Sequence, residues 1–171
     1  MHTEAMPVGV VMQRRRLDNR WQSHQWRPLE VVAGDLLQRP PGVYCLREDD
    51  ADSRWLHAGL EVALYSDEGE GYHLNVNAPQ PCWFIMWRMD EIDGVEVAVP
   101  KSVTLSYNEA ARLMDGGEQV DTVPLSEEMV ALVAGFAAEH YRPEPKRKRR
   151  KPSFEGGAVV QQMADQEKGE A

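Results

Sequence analysis

Between Trp55 and Tyr65 the chain reads WLHAGLEVALY, in which Leu56, Ala58, Leu60, Val62 and Leu64 alternate with His57, Gly59, Glu61 and Ala63. Strict period two over this length describes a half-buried strand, because successive side chains of an extended backbone point to opposite faces. No other run constrains the fold as tightly. SDEGEG follows, and then YHLNVN, where Tyr72, Leu74 and Val76 alternate with His73, Asn75 and Asn77. The two runs predict a hairpin closed by the loop DEGEG. Leu64 then stands opposite Leu74, Val62 opposite Val76, and Tyr65 across from His73 on the solvent face.

CWFIMWRM is apolar on both faces, with Cys82, Phe84 and Met86 on one side and Trp83, Ile85 and Trp87 on the other. Such a strand is central and covered twice. After the turn DEIDG, VEVAVP and SVTL continue the pattern; PVGVVMQ, PLEVVAG and VYCLRE are shorter strand candidates nearer the start. The last third changes period. Ser106 and Glu109 form a capping box ahead of Ala110, Ala111, Leu113 and Met114, and Gly116 and Gly117 end that helix. A second helix starts at Ser126, with Leu125 and Val130 at staple spacing and Met129, Val133, Phe136 and His140 on one stripe, before RPEP stops it. The expected fold is α+β: an antiparallel meander or small barrel of about six to seven strands followed by two C-terminal helices. One domain spans 1–145, and 146–171, without core-forming periodicity, reads as a disordered tail.

Charge divides the chain in the same place. Residues 146–171 hold seven basic and four acidic side chains, whereas the first 145 hold 12 and 24, which makes an acidic body within a total of −9. Five of those 12 cations, Arg14, Arg15, Arg16, Arg20 and Arg27, crowd one early segment. That contrast argues against a nucleic-acid-binding surface spread over the whole domain, which would need dense cations to neutralise phosphates. Two cysteines, Cys45 and Cys82, each lie in an apolar stretch and read as buried thiols of a reducing compartment, with a single bridge as the open alternative. The first residues lack a secretory pattern and no run is long and apolar enough to span a bilayer, so a cytoplasmic location is expected.

Catalytic signatures are missing. The chain has no G-x-S-x-G, Walker loop or H-E-x-x-H, and it is expected to be neither an enzyme nor a cofactor or metal binder. Glu48, Asp49, Asp50 and Asp52 read as a solvated loop, and GEGYHL lacks the third glycine of a phosphate loop. His57 and His73 share the hairpin's polar face without ligand spacing.

Two cationic features remain as partner-binding candidates. KRKRRK, Lys146, Arg147, Lys148, Arg149, Arg150 and Lys151, suits nucleic acid, an acidic protein surface, anionic lipid, a solubilising tail or a loose return onto the acidic body. RRRLDNRWQSHQWRP mixes Arg14 and Arg15 with Trp21 and Trp26, the residue types that binding hot spots use. At least one of these tryptophans is expected to anchor in the core, and consecutive arginines on an extended segment cannot share one face.

PVGVVMQRRRLDNRWQSHQWRPLEVVAG, with its GVV strand, arginine pair and two tryptophans before a proline, resembles the start of a bacterial family catalogued as a domain of unknown function, family 3305. The resemblance continues through the WLHAGLEVALY and CWFIMW strands and the two helices into KRKRRK, covering about residues 6–151. It implies a context: genes of this family sit beside those of molybdenum-dependent formate dehydrogenase, with a maturation chaperone. The expectation is therefore an accessory protein in assembly, maturation or regulation of that enzyme, its partner a dehydrogenase subunit or the chaperone. Two alternatives stand beside it: a nucleic-acid-associated regulator using the tail, and a carrier of a small ligand or molybdenum cofactor.

Overall fold

The computed structural model describes Thr3 and residues 5–143, so the tail and its cationic run, Lys146 to Lys151, lie outside the described residues. Strands β1 (Met6–Arg16), β2 (His24–Ala33), β3 (Gly42–Arg47) and β4 (Asp52–Val62) form one antiparallel sheet in the order β2-β1-β4-β3. A second sheet, ordered β6-β5-β7, holds β5 (Cys82–Ile92), β6 (Val95–Thr104) and β7 (Gln119–Pro124). With helices α1 (Gly69–Val76), α2 (Tyr107–Asp115) and α3 (Glu127–His140) this is the expected α+β fold, divided into two sheets instead of one meander. The sheets enclose a common core, with Val8, Val10 and Met12 of β1 among the same cluster as Ile85, Ala98 and Val123. Strand β4 runs beside β6, and β2 beside β7.

β5 is central and covered twice, as its composition requires. Trp83 and Ile85 enter the main core, while Cys82 and Phe84 form a smaller cluster with Ala110 of α2 on the opposite face. VEVAVP and SVTL prove to be one strand, β6, whose register on β5 shifts between Ser102 and Pro100. Pro100 is tolerated because β6 is an edge strand, where a missing N–H breaks no ladder. Asp93 and Gly94, both at positive φ (53° and 80°), make the tight β5–β6 turn.

The predicted hairpin after β4 does not form. YHLNV lies in α1 with Asn77 at its C-cap, so Tyr65 and His73 are not cross-strand neighbours; the His73 ring instead lies against that of Tyr141, tilted, with centroids 4.8 Å apart. The helix wins because burial falls three apart, on Tyr72 and Asn75, and both polar groups are satisfied there. The Tyr72 hydroxyl accepts from the Tyr65 N–H at 2.8 Å, and burial pushes its pKa up to about 12. Asn75 donates to the carbonyls of Cys82 and Leu105, both at 2.9 Å, and accepts from the Cys82 N–H at 3.0 Å. Gly71 permits the close approach: a Cβ there would stand 2.0 Å from Ser106 Oγ. GEGYHL thus opens a helix and not a hairpin loop. Glu68 and Glu70 surround that helix start, so it is unsuited to phosphate.

Both serine caps are present, with Ser106 Oγ accepting from the Glu109 N–H at 3.1 Å and Ser126 Oγ from the Met129 N–H at 3.2 Å. The Glu109 carboxylate does not return to the Ser106 N–H as a capping box requires: Thr104 accepts that N–H at 3.0 Å and donates to Glu109. Ser106 also donates to Glu68 at 2.5 Å, and Arg112 meets the other Glu68 oxygen at 2.7 Å. Between the two helices lies β7, which sequence periodicity misses. Its Val120 packs under α2 and its Val123 in the main core, so each face receives one apolar residue and no alternation is visible.

A bulge divides β4. Val8 pairs with Leu60 and Gly9 with Ala58, which leaves Gly59 unopposed at φ 118°, a conformation that favours glycine. The skipped residue reverses the alternation. Leu60 and Val62 face the core on one side of it, and on the other side His57 does, opposite Val10. His57 is therefore buried, correcting its placement on a polar face, and burial followed by the nearby Lys101 charge lowers its pKa to about 4. Cys82 is buried as expected. Cys45 is exposed, because β3 is the outer strand of its sheet; both thiols are free.

Candidate partner-binding surface

α3 lies at the end of the sandwich where β1 begins and β4 ends; at the opposite end β1 runs out through Arg14, Arg15 and Arg16. Arg14 continues the inward row of Val10 and Met12. Its guanidinium lies 5.9 Å from the Trp26 ring centroid and 5.5 Å from that of Trp55, and the two indoles stand 5.5 Å apart. Such cation–π contacts each contribute about 0.5–2 kcal/mol. One guanidinium nitrogen, Nη2, donates to Ser53 Oγ at 3.4 Å, and Nε is buried without a partner among the described residues. Trp26 packs against the core and is the anchor that the sequence leads one to expect.

Arg15 points the opposite way and donates to Gln25 Oε1 at 2.6 Å. On that outer face Arg27 donates to Gln13 at 2.8 Å, Gln13 donates to Asp52 at 3.1 Å, and Arg54 clasps Asp52 through two bonds. Arg54 first, and then Gln13, hold the Asp52 carboxyl down to about 2. Asp52 thus leaves the loop it was assigned to and becomes part of the sheet. Glu48, Asp49 and Asp50 stay exposed in the β3–β4 connection, at this same end.

Trp21 is not a core residue. It stands 82% exposed at the β1–β2 tip, where the Asn19 side chain accepts from its backbone N–H at 2.7 Å and the Arg20 guanidinium sits 4.8 Å from its ring centroid. Across from this tip is the β5–β6 hairpin, and a cleft of about 440 Å³ between them is lined by Arg14, Trp21, His24, Trp26, Met89 and Glu96. Met89, Ile92 and Val95 are also exposed on that second hairpin. The structure therefore brings Arg14, Trp21 and Trp26 to one cleft and turns Arg15 to its outer side.

Sequence reasoning missed Trp55 and the second hairpin. Alternation extended back from Leu56 puts Trp55 on the polar face, and only the Gly59 bulge reverses it. DEIDG was legible as a turn, but its proximity to the arginine segment is a tertiary fact. The surface offers guanidinium groups, indole faces and flanking carboxylates, which suit contact with a protein surface more than bond making. Burial raises the Cys82 thiol pKa, so it is no activated nucleophile. Among the described residues no group of three or more His, Cys, Asp or Glu side chains is placed to hold a metal, and no helix is long and apolar enough to cross a membrane. A second, apolar concavity of about 480 Å³ beside α3 is walled by Val62, Leu64, Leu132 and Phe136. Among the described residues its polar lining is Thr3 and Glu139, with no cation there to hold a phosphate-bearing cofactor.

No curated protein and no solved structure matches the chain. One family model does, over residues 7–150, from the β1 strand through both capped helices, and the chain accordingly belongs to the family described as protein of unknown function DUF3305.

Proposed function

We propose that this chain is a non-enzymatic accessory protein that assists assembly, maturation or regulation of a molybdenum-dependent formate dehydrogenase through protein contacts. The observation that carries the reading is Trp21, a large aromatic held 82% exposed with Arg20 against its face. Keeping an indole in water is unfavourable unless something covers it, and Trp and Arg are the residues on which binding energy concentrates. Arg14 and Trp26 form the inner wall of the same cleft. Arg15 extends the contact on the outer side, and the tail cations Lys146 to Lys151 add a second, electrostatic contact with the same partner. The gene context implied by the family resemblance supplies the partner class: a dehydrogenase subunit or its maturation chaperone.

Affinity capture under native expression tests this reading. The unaltered chain is expected to recover a dehydrogenase subunit or the chaperone, and Trp21→Ala together with Arg20→Ala to lose it. Recovery of neither, combined with intact formate oxidation in a deletion strain, overturns the proposal. A second reading, nucleic-acid association, is favoured by the six consecutive cations at 146–151. It requires binding that falls steeply with salt and vanishes on deletion of that run.

A further inference from the structure

The two hairpins that flank the cleft carry opposite charge. From Arg14 to Arg27 the first holds five arginines and one aspartate, while residues 89–96 of the second hold four carboxylates and no cation. Asp90 is consumed by Lys101, at 3.0 Å. Among the described residues, none of Arg15, Arg16, Arg20, Glu91, Asp93 or Glu96 has an ion-pair partner. The arms stand side by side on one cleft without neutralising each other. Between and around them lie exposed apolar side chains, Trp21 at 82%, Val95 at 55%, Met89 at 41% and Ile92 at 40%.

We infer that this end of the molecule is a self-complementary interface, whose occupant is a second copy of the same chain. A two-fold axis places a surface on its own mate, so a patch with one basic and one acidic arm sets each basic arm on the other copy's acidic arm. Two salt-sensitive contacts form at once and no like charges meet. The exposed indole and aliphatic side chains supply the dry centre that charge pairs alone do not. The basic arm faces a mate of its own composition although the body is acidic overall, because the complementarity is local to the two hairpins. Self-association covers the end assigned above to a dehydrogenase partner, so capture of that partner draws on the monomer.

Sedimentation velocity on the purified full chain tests the inference without any dehydrogenase component, so its failure is separable from failure of the partner reading. At tens-of-micromolar protein the chain is expected to be a dimer in ~50 mM salt and to dissociate in ~500 mM, where screening is several-fold shorter-ranged. One variant reverses the basic arm (Arg15→Glu, Arg16→Glu, Arg20→Glu) and another the acidic arm (Glu91→Arg, Glu96→Arg). Each is expected to be monomeric alone, with unchanged circular dichroism, and an equimolar mixture to form a mixed dimer. Trp21→Ala should weaken the dimer by about tenfold or more. A monomeric wild type in low salt, a dimer that survives either reversal, or a mixture that stays monomeric each overturns the inference.

Discussion

The two ends of this sandwich use polar groups in opposite ways. At the helical end Asn75, Ser106, Thr104, Glu109, Glu68 and Arg112 are spent on one another and on strand and helix termini. At the hairpin end, among the described residues, Arg20 and Glu96 have no ion-pair partners and Arg14 Nε has no acceptor, while Trp21 is 82% exposed. The first arrangement removes unsatisfied groups and so maintains the fold; the second leaves interaction capacity unspent, which is where recognition belongs. Stability and binding are thereby assigned to different ends of the same strands.

Substitutions at the two ends should separate accordingly, and the largest effect is expected at Gly71. Gly71→Ala places a methyl 2.0 Å from Ser106 Oγ and 3.2 Å from the Asn108 backbone nitrogen. Overpacking of this kind costs about 3 kcal/mol, read as a lowered urea midpoint. An unchanged midpoint would mean that the α1–α2 junction is loose and the contrast between the ends is false. Asn75→Ala comes next, since it strands a buried N–H and two carbonyls, at about 2–3 kcal/mol in the same assay.

Acid should act through His57, which lies between the two ends. Its folded pKa, about 4, is below the ordinary 6.5, so the unfolded chain binds the proton more tightly. The sign follows: stability is full above pH 6.5 and is lost progressively as pH falls from 6.5 to 4. Loss from Asp52 comes lower, between pH 3.8 and about 2, so the windows are distinct. Thermal melts across pH 4–7 should flatten in His57→Gln; an identical slope in that variant would remove His57 from the account. The smallest effect on folding is expected from Trp21→Ala and Arg20→Ala, each within about 0.5 kcal/mol of wild type. A loss of 2 kcal/mol or so there would mark the tip as structural and erase the distinction.

Much of the scaffold was legible in the sequence, and the failures share a cause. Local signals sufficed for β5 and for the helix caps, because Ser106 and Ser126 act on N–H groups three residues away. They failed for α1, where YHLNVN supports either period and the contacts of Asn75 with Cys82 and Leu105 decide. They failed for β7, whose apolar residues serve different layers. At the binding surface Arg14, Trp21 and Trp26 were visible as composition. The separation of Trp26 as wall from Trp21 as exposed tip, and the addition of Trp55 and the acidic hairpin, depend on register and on packing between sheets.

Gly59 joins two lengths of β4 that answer to different demands. With the bulge, β4 behaves as two short reading frames offset by one: the half toward Val62 varies under the constraint of the helices, and the half toward Trp55 under that of the recognition surface. Drawing Gly59 into the ladder opposite Gly9 would shift the half toward Trp55 by one residue and turn Trp55 and His57 outward, away from Arg14. A substitution at this position that abolishes the bulge would therefore reach the recognition surface through the sheet, without altering any residue that a partner touches.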